Sequence, residues 1–377
     1  SEQVQWGTLV TLGVETDNHT LTLVNLYTRT AEDVATLAED TRGKKSLHKF
    51  WPQWYGPEFE NYDPNDPNHP GNQEREAAPF LRTETLEYTE RTTRTHQLNG
   101  THALPDPGVQ VQSVFTSINP EIDWRVARSA AGMYQPDKRQ FGSLWWGESY
   151  NPGYPPHVPP FTSPEVHRPF KPAASHYIGN FQRIWKDISE DSDQYSLNVK
   201  FPFEQWSNDE GFLKLGVFDD TVTREYRQDS FSNFGDNSDR AEPAPWEDFW
   251  SSTYLSEDHP IFPSDTDVDY DGDQDISAWY YMLDVPLCSY LNVIGGYRFE
   301  KTELVIVNDA DRHAFWNPPG RGSTEVTPGF YPDGADAQFE QDDVLPAIAL
   351  EYTPLEKIKM RASYSETVAR QTFKELT

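Results

Sequence analysis

The stretch that decides the fold reads WYYMLDVPLCSYLNVIGGYRFE and occupies residues 279–300. Apolar and aromatic side chains recur at every second position in both halves of this stretch. A period of two indicates β-strands, because successive residues of a strand point to opposite faces. Only a short link at 288–290 separates the halves, so the sequence predicts an antiparallel hairpin. One face is expected to carry Trp279, Tyr281, Leu283, Tyr297 and Phe299, and the other face Arg298 and Glu300.

The same alternation recurs along the chain and predicts about ten strands in five hairpins. The 30 prolines and 22 glycines interrupt the sequence often, so long helices are not expected. Short turns join the strands of each pair. The other four hairpins are predicted at about 4–30, 80–135, 195–227 and 344–364.

The connections between these hairpins are long, and we expect them at 31–79, 136–174, 229–273 and 308–336. A soluble domain seldom carries several structureless loops above about 15 residues. Outer-membrane β-barrels, in contrast, have short turns on one rim and long loops on the other. The sequence therefore predicts an all-β fold, an antiparallel transmembrane β-barrel segment with long extracellular loops. A soluble antiparallel barrel or sandwich with one wet face would show the same alternation and remains the alternative.

Composition excludes several classes of protein. Aromatic residues make up 14% of the chain, whereas a disordered acidic tail would lack them. The net charge of −30 opposes contact with phosphates, so nucleic acid is not an expected partner. The sequence has no metal-binding pair of histidines at helical spacing and no Gly-x-Ser-x-Gly nucleophile elbow. We expect no enzyme activity and no required cofactor.

Three segments resemble TonB-dependent outer-membrane receptors. Residues 359–376, KMRASYSETVARQTFKEL, are similar to the RxxYSxTVARPxFxEL segment of that family, with Gln371 where proline is usual. Residues 284–302 contain DVPL and LNVIGGYRFEKT and look like the family's DLPL…LNLIGGxRxExT hairpin. A third match consists of LNVKFPF and GFLKLG within 197–216. The segments follow one another in the family's order from about residue 175 onward.

The resemblance implies a plugged β-barrel of about 22 strands in the bacterial outer membrane. Such receptors take up a scarce nutrient, either an iron–siderophore complex, cobalamin or an oligosaccharide, when the TonB complex pulls on a short N-terminal box. We find neither a plug domain nor a TonB box within residues 1–377, and only about ten strands are predicted. We therefore expect residues 1–377 to be an internal part of one barrel domain. Its expected partners are the nutrient, outer-membrane lipid, lipopolysaccharide and, through the part that precedes the chain, TonB.

The resemblance also implies an inward, polar side of the barrel. Charged residues of the matched strands would contact the plug or line the path of the nutrient. The residues expected to face the lumen are Arg298, Glu300, Lys359 and Arg361.

The segment 265–275, DTDVDYDGDQD, resembles the start of an EF-hand calcium loop. Oxygen ligands alternate there before Gly272, which would allow a tight turn, although the bidentate glutamate of such loops is missing. Ca²⁺ in an outer loop is therefore one hypothesis, and a solvated acidic loop is the other. The expected calcium ligands are Asp267, Asp269, Asp271 and Asp273.

Aromatic residues concentrate in the predicted outer loops. Exposed rings provide stacking surfaces for sugars or flat chelates, but they can also form small cores that hold long loops in place. Two other functions remain open: a secreted acidic β-protein that binds or cleaves polysaccharide, and a passive porin-like channel. The expected ligand-binding residues are Trp51, Trp54, Tyr55, Trp145, Trp146, Trp246, Trp250 and Trp316.

Overall fold

In the computed structural model the chain forms one large antiparallel β-sheet. The described residues contain no helix of the length and apolarity needed to span a bilayer. The predicted all-β, antiparallel fold is confirmed. The structure describes residues 1–40, 81–105, 119–146, 180–204, 210–233, 261–311, 336–355 and 357–370, short pieces within the connections, and Phe373.

Ten long strands lie side by side in chain order, and each is antiparallel to the next. The predicted hairpins correspond to consecutive pairs of these strands. The strands are β1 (Glu2–Glu15), β2 (His19–Asp40), β3 (Leu81–Ala103), β4 (Glu121–Trp146), β5 (Phe181–Glu204), β6 (Glu210–Ser232), β7 (Val268–Cys288), β8 (Leu291–Ala310), β9 (Ala337–Leu355) and β10 (Ile358–Ser365).

Short strands of two to four residues lie within the connections. Some of them pair with a long strand and others with one another. They are Gln110–Val111, Phe115–Ser117, Ser149–Asn151, Phe161–Ser163, Val166–Pro169, Phe262–Pro263, Phe315–Trp316 and Thr324–Glu325.

The strands β2 to β9 are 19 to 26 residues long. At about 3.3 Å per residue they extend over roughly 60–85 Å, which is at least twice the thickness of about 30 Å of a bilayer core. Their polar ends occupy positions where the sequence predicted loops: β2 continues to Asp40, β4 to Trp146, and β7 begins at Val268. The backbone hydrogen bonds between strands do not require apolar side chains. A strand can therefore continue through polar residues beyond its apolar part.

The register between β7 and β8 defines two faces of the sheet. Trp279 lies opposite Phe299, and Tyr280 lies opposite Arg298. Directly opposed residues in an antiparallel pair point to the same side, so the first pair marks an apolar face and the second a polar face. The Trp279 side chain is exposed, with 52% of its surface accessible. The predicted alternation of this hairpin is confirmed.

The sheet has two free edges within the described part of the chain. β1 pairs with β2 alone and β10 with β9 alone, and these two outer strands do not pair with each other. The described residues therefore form an open sheet whose edge strands are β1 and β10.

A small apolar core lies on the polar face, toward the long connections. Tyr270, Leu304, Ile306 and Phe373 are buried together there. Leu304 and Ile306 belong to β8, whereas Phe373 comes from beyond the end of β10. The core therefore forms where the chain after β10 returns across the sheet.

Candidate functional site: the two faces of the sheet

The apolar face carries a belt of exposed apolar side chains beside the short turns. In β7 the belt extends from Trp279 to Leu287, a length of about 26 Å along the strand. For the tilt of roughly 40° that barrel strands adopt, its height is about 20 Å, close to the apolar band of about 25 Å of outer-membrane barrels. Exposed members of the belt are Val10, Leu12, Val14, Leu21, Leu23, Val126, Tyr195, Leu197, Phe201, Leu215, Val217, Trp279, Tyr281, Leu283, Leu287, Tyr297, Val344, Ile348, Leu350, Tyr352, Ile358, Met360 and Tyr364.

Aromatic pairs mark both borders of the belt. On the side of the long connections, the rings of Trp279 and Phe299 stack with their centroids 4.2 Å apart. On the side of the short turns, the rings of Tyr290 and Tyr352 meet edge to face with their centroids 6.0 Å apart. Amphipathic rings are enriched at the two interfaces of a membrane, where one end is apolar and the other is wet.

Charged side chains begin on the same face just beyond the border of the belt on the side of the long connections. Lys301 lies two residues beyond Phe299 and pairs with Glu340 at 2.9 Å. On β7 the outward positions beyond Trp279 lead to Asp275 and Asp273, which are exposed. The apolar face therefore changes abruptly from apolar to charged along each of these strands.

The polar face carries a connected network of hydrogen bonds at the level of the belt. The Asn198 amide donates to Asp123 at 2.7 Å, and the Tyr280 hydroxyl donates to Asn198 at 2.6 Å. Lys214 pairs with Asp123 at 3.4 Å. Gly216 makes room for this network, because a Cβ at that position would overlap the Tyr280 ring. Polar side chains that satisfy one another in this way make a surface that water can line.

Further toward the long connections on the polar face, Glu300 is the centre of a buried charge cluster. Its side chain is 2% exposed, and Arg298 donates to its Oε2 from Nε and Nη2, each at 2.8 Å. Arg370 contacts the other carboxylate oxygen and also donates to the Thr302 hydroxyl at 3.2 Å. The Arg298 guanidinium lies 5.2 Å from the centre of the Phe218 ring. Two arginines therefore compensate one buried carboxylate.

The four residues expected to face the lumen lie on the polar face. Arg298 and Glu300 lie in the cluster described above. Lys359 and Arg361 both pair with Glu351 of β9, the latter at 2.8 Å from Nε to Oε2. The structure thus brings them to one face as two separate groups. That this face lines a lumen stays a prediction.

Arg370 and Phe373 were not among the predicted site residues. Both belong to the TVARQTF part of the segment that resembles the receptor family, beyond the hairpin predicted at 344–364. β10 ends at Ser365, and the following residues leave the sheet. The shift from alternating residues to Thr367, Val368 and Ala369 is the signal that could have located the end of the strand.

The acidic segment 265–275 is mostly strand and not a turn. Asp269, Asp271 and Asp273 point to the same side of β7, so their Cα atoms are spaced by about 6.6 Å. Calcium requires its oxygens within about 2.3–2.6 Å. In the described ranges no three His, Cys, Asp or Glu side chains form a group that could hold a metal ion. The expected convergence of these residues with Asp267 is absent there because the strand keeps them apart, and calcium binding itself stays a prediction.

Three of these aspartates bind to β6 instead. Asp267 accepts hydrogen bonds from the Ser230 N–H at 2.7 Å and from the Gln228 side-chain amide at 2.8 Å. Asp269 accepts the Gln228 backbone N–H at 2.8 Å. Asp271 pairs with Arg227 at 2.6 Å. These contacts fasten β7 to its neighbour at the end of the long connections.

A polar cavity of about 240 Å³ opens beside them, lined by Asp267, Asp269, Asp309 and Asp311 among others. Asp311 follows β8, and its carboxylate accepts the Asp267 N–H at 3.1 Å. Burial raises the pKa of Asp311, and the nearby carboxylates raise it further. This cavity concentrates negative charge at the base of the long connections.

The expected ligand-binding aromatics are not tested by these contacts. Trp51, Trp54, Tyr55, Trp246 and Trp250 lie outside the described residues. The backbones of three others belong to strands, but their side chains are outside the description. These three are Trp145, Trp146 and Trp316.

Comparison with known proteins gives matches among solved structures alone. No family model matches the chain, and no curated protein matches it. The chain is similar to the ferric yersiniabactin uptake receptor FyuA of Yersinia pestis, with 9% identity, a TM-score of 0.30, and coverage of 94% of this chain and 45% of that one. It is also similar to the closed form of the ferric-catecholate import receptor Fiu of E. coli K12, with 10% identity, a TM-score of 0.32, and coverage of 96% and 49%. The chain spans about half the length of each receptor.

Proposed function

We propose that the chain is part of a TonB-energised uptake receptor of the bacterial outer membrane. The receptor would bind an iron–siderophore complex, cobalamin or an oligosaccharide outside the cell and release it inward without making or breaking covalent bonds. The observation that carries this proposal is the belt on one face of long strands whose other face is polar. Aromatic residues of the long connections would capture the nutrient, and lipopolysaccharide would surround the charged zone above the belt.

The belt favours lipid as its environment. Soluble monomers rarely expose a continuous apolar patch of more than about 300–600 Å². This belt reaches from β1 to β10, and its residues are exposed by 36% at Tyr281 to 67% at Val14. Each Å² left in water would cost about 25 cal/mol, and hydrocarbon removes that cost. A soluble sandwich would need a second layer on this face, and none of the described residues provides one.

The polar face favours a wet passage inside the closed barrel. Barrel strands alternate apolar residues toward lipid with polar residues toward the interior, and the two faces here are divided in that way. Arg298, Glu300, Lys359 and Arg361 would contact the plug or line the path. TonB would act through a part of the receptor outside residues 1–377.

The test is uptake by the full-length receptor in living cells. The gene is expressed in a strain that lacks its own receptors, and radiolabelled ferric siderophores, cobalamin and maltodextrins are supplied separately. We expect the receptor in the outer-membrane fraction and uptake of one ligand class that stops when TonB is deleted or a protonophore is added.

Two outcomes support the rival functions. Uptake that continues without TonB would identify a passive porin-like channel. Recovery of the full-length protein in buffer without detergent, together with binding or cleavage of polysaccharide, would favour the secreted acidic β-protein.

A further inference from the structure

The chain crosses the polar face after it leaves the sheet at Ser365. The last ladder contact is the Glu366 N–H on the Pro346 carbonyl at 3.0 Å, although β9 continues to Ala337. Arg370 already lies over Glu300 of β8, and Phe373 lies over β7. Crossing from β10 to β7 covers three strand spacings, or about 14 Å, which eight residues reach easily. We term residues 366–370 together with Phe373 the strap.

Two side chains fasten the strap. Arg370 binds Glu300 and Thr302, as described above. The Phe373 ring is buried against Leu304 and Ile306, and the Arg224 guanidinium lies 5.8 Å from its centre.

Gly272 forms the seat of the Phe373 ring. A Cβ added at Gly272 would lie 2.5 Å from the Cδ1 and Cε1 atoms of that ring, closer than real Cβ atoms approach a neighbour. The ring therefore occupies the space that a side chain on β7 would fill. This close approach accounts for a glycine at this position.

Between the end of β10 and the Arg370 anchor the strap is largely open to solvent. Residues 366, 367 and 369 are exposed, and Val368 is partly buried. Segments with exposed backbone and few buried contacts open at low free-energy cost. Glu300 would also keep its Arg298 partner if Arg370 left, so opening would not strand a buried charge, which is the costly event.

We propose that the strap is a releasable latch: Arg370 and Phe373 hold it across the polar face, and its release opens the apolar floor of Tyr270, Leu304 and Ile306 to solutes. The role of this floor in a passage rests on the proposed function. The latch itself is a property of the fold and is tested without uptake.

The test measures the accessibility of the floor in the purified full-length receptor in detergent. Native cysteines, including Cys288, are replaced by serine, and Leu304→Cys is labelled with a water-soluble maleimide. Gly272→Ala pushes the ring out of its seat, and Phe373→Ala removes the ring. We expect each change to speed labelling at least tenfold, and the two together to be no faster than Phe373→Ala alone, because both act on one contact.

Gly295→Ala is the matched control, since its Cβ would meet the Ala347 carbonyl oxygen at an ordinary 3.4 Å. This change should leave the labelling rate unaltered. A second readout without an introduced cysteine is trypsin cleavage after Arg370, which should accelerate in Gly272→Ala while heat-modifiable gel migration shows the barrel folded. Equal labelling and cleavage rates in all variants, or additive effects of the two changes, would overturn the latch. A receptor that fails in uptake but labels as expected would remove the proposed function and leave the latch.

Discussion

At the scale of single residues, the charge cluster around Glu300 shows how the polar face tolerates a buried carboxylate. Arg298 and Arg370 approach it from two directions, one from its own strand and the other from the strap. The exposed pair between Lys301 and Glu340, in contrast, lies on the opposite face and both partners are at least 43% exposed. We therefore expect ion pairs of similar residue types to contribute differently to the stability of the fold according to their burial.

Glu300→Gln tests this difference. The change leaves two partly buried arginines without their counter-charge, so we expect the full-length receptor to lose about 1–3 kcal/mol in urea unfolding, below the value for fully buried pairs because the arginines remain partly wet. Glu340→Gln is the control and should change stability by less than about 0.5 kcal/mol. Equal losses for both variants would contradict the assignment of Glu300 as a buried centre.

Asp311 gives a prediction for pH. Burial raises its pKa above the ordinary value of 3.8, so the folded state binds this proton more tightly than the unfolded state. The carboxylate therefore lowers stability at neutral pH, and this loss disappears as the pH falls through the raised pKa toward the ordinary value.

Asp311→Asn keeps an oxygen for the Asp267 N–H and removes the charge. We expect a higher melting temperature at pH 7, equivalent to less than about 1 kcal/mol, and a smaller difference from the natural protein near pH 4. Asp17→Asn, in the exposed turn between β1 and β2, is the control for charge removal alone. A gain at pH 4 as large as at pH 7 would show that burial of Asp311 is not the cause.

At the scale of elements, each long strand combines a belt segment with a polar extension. Leu283 and Met282 are neighbours on β7 but point to opposite faces. A shift of one residue in the register would exchange these faces completely.

Substitution by arginine at these two positions tests which face of the strand contacts lipid and which contacts water. Leu283→Arg places a charge near the middle of the belt and should destabilise folding into lipid vesicles by about 2–4 kcal/mol. Met282→Arg points to the polar face and should cost clearly less. Equal effects, measured as unfolding midpoints of the receptor in vesicles, would contradict a lipid-facing belt.

The alternation of apolar residues predicted the hairpins, the direction of pairing and the faces, because side-chain period and burial are local properties of a strand. Strand ends were less predictable. Thr, Glu and Asp residues occur both in loops and in hydrogen-bonded strands. β2 and β7 accordingly extend into segments that were expected to be loops. Gly272 illustrates the limit: its neighbours resemble a calcium loop, whereas its role depends on Phe373, a residue about 100 positions away that no local pattern connects with it.

At the scale of the whole molecule, the sheet of the described residues ends in two edge strands, β1 and β10, which each pair on one side only. An edge strand leaves every second N–H and C=O unpaired, and lipid does not tolerate such groups. In a receptor, strands outside residues 1–377 would cover β1 and β10.

Hydrogen exchange checks this closure. In the full-length receptor we expect the N–H groups of β1 that point away from β2 to exchange as slowly as those of the inner strand β6, which is paired on both sides and serves as the reference. The exposed N–H groups of the turn between β1 and β2 should exchange at least tenfold faster. Exchange of the β1 groups as fast as that of the turn would contradict closure by further strands.

In the proposed receptor, the length of the strands would decide where a nutrient first meets the protein. In β5 the belt begins at Tyr195, and the strand starts at Phe181. The part between them raises the long connections by about 35 Å at the usual tilt of barrel strands. A bulky solute would therefore be engaged well above the acyl chains, at the height of the sugar coat of the cell, and it would descend along a protein wall and never touch lipid.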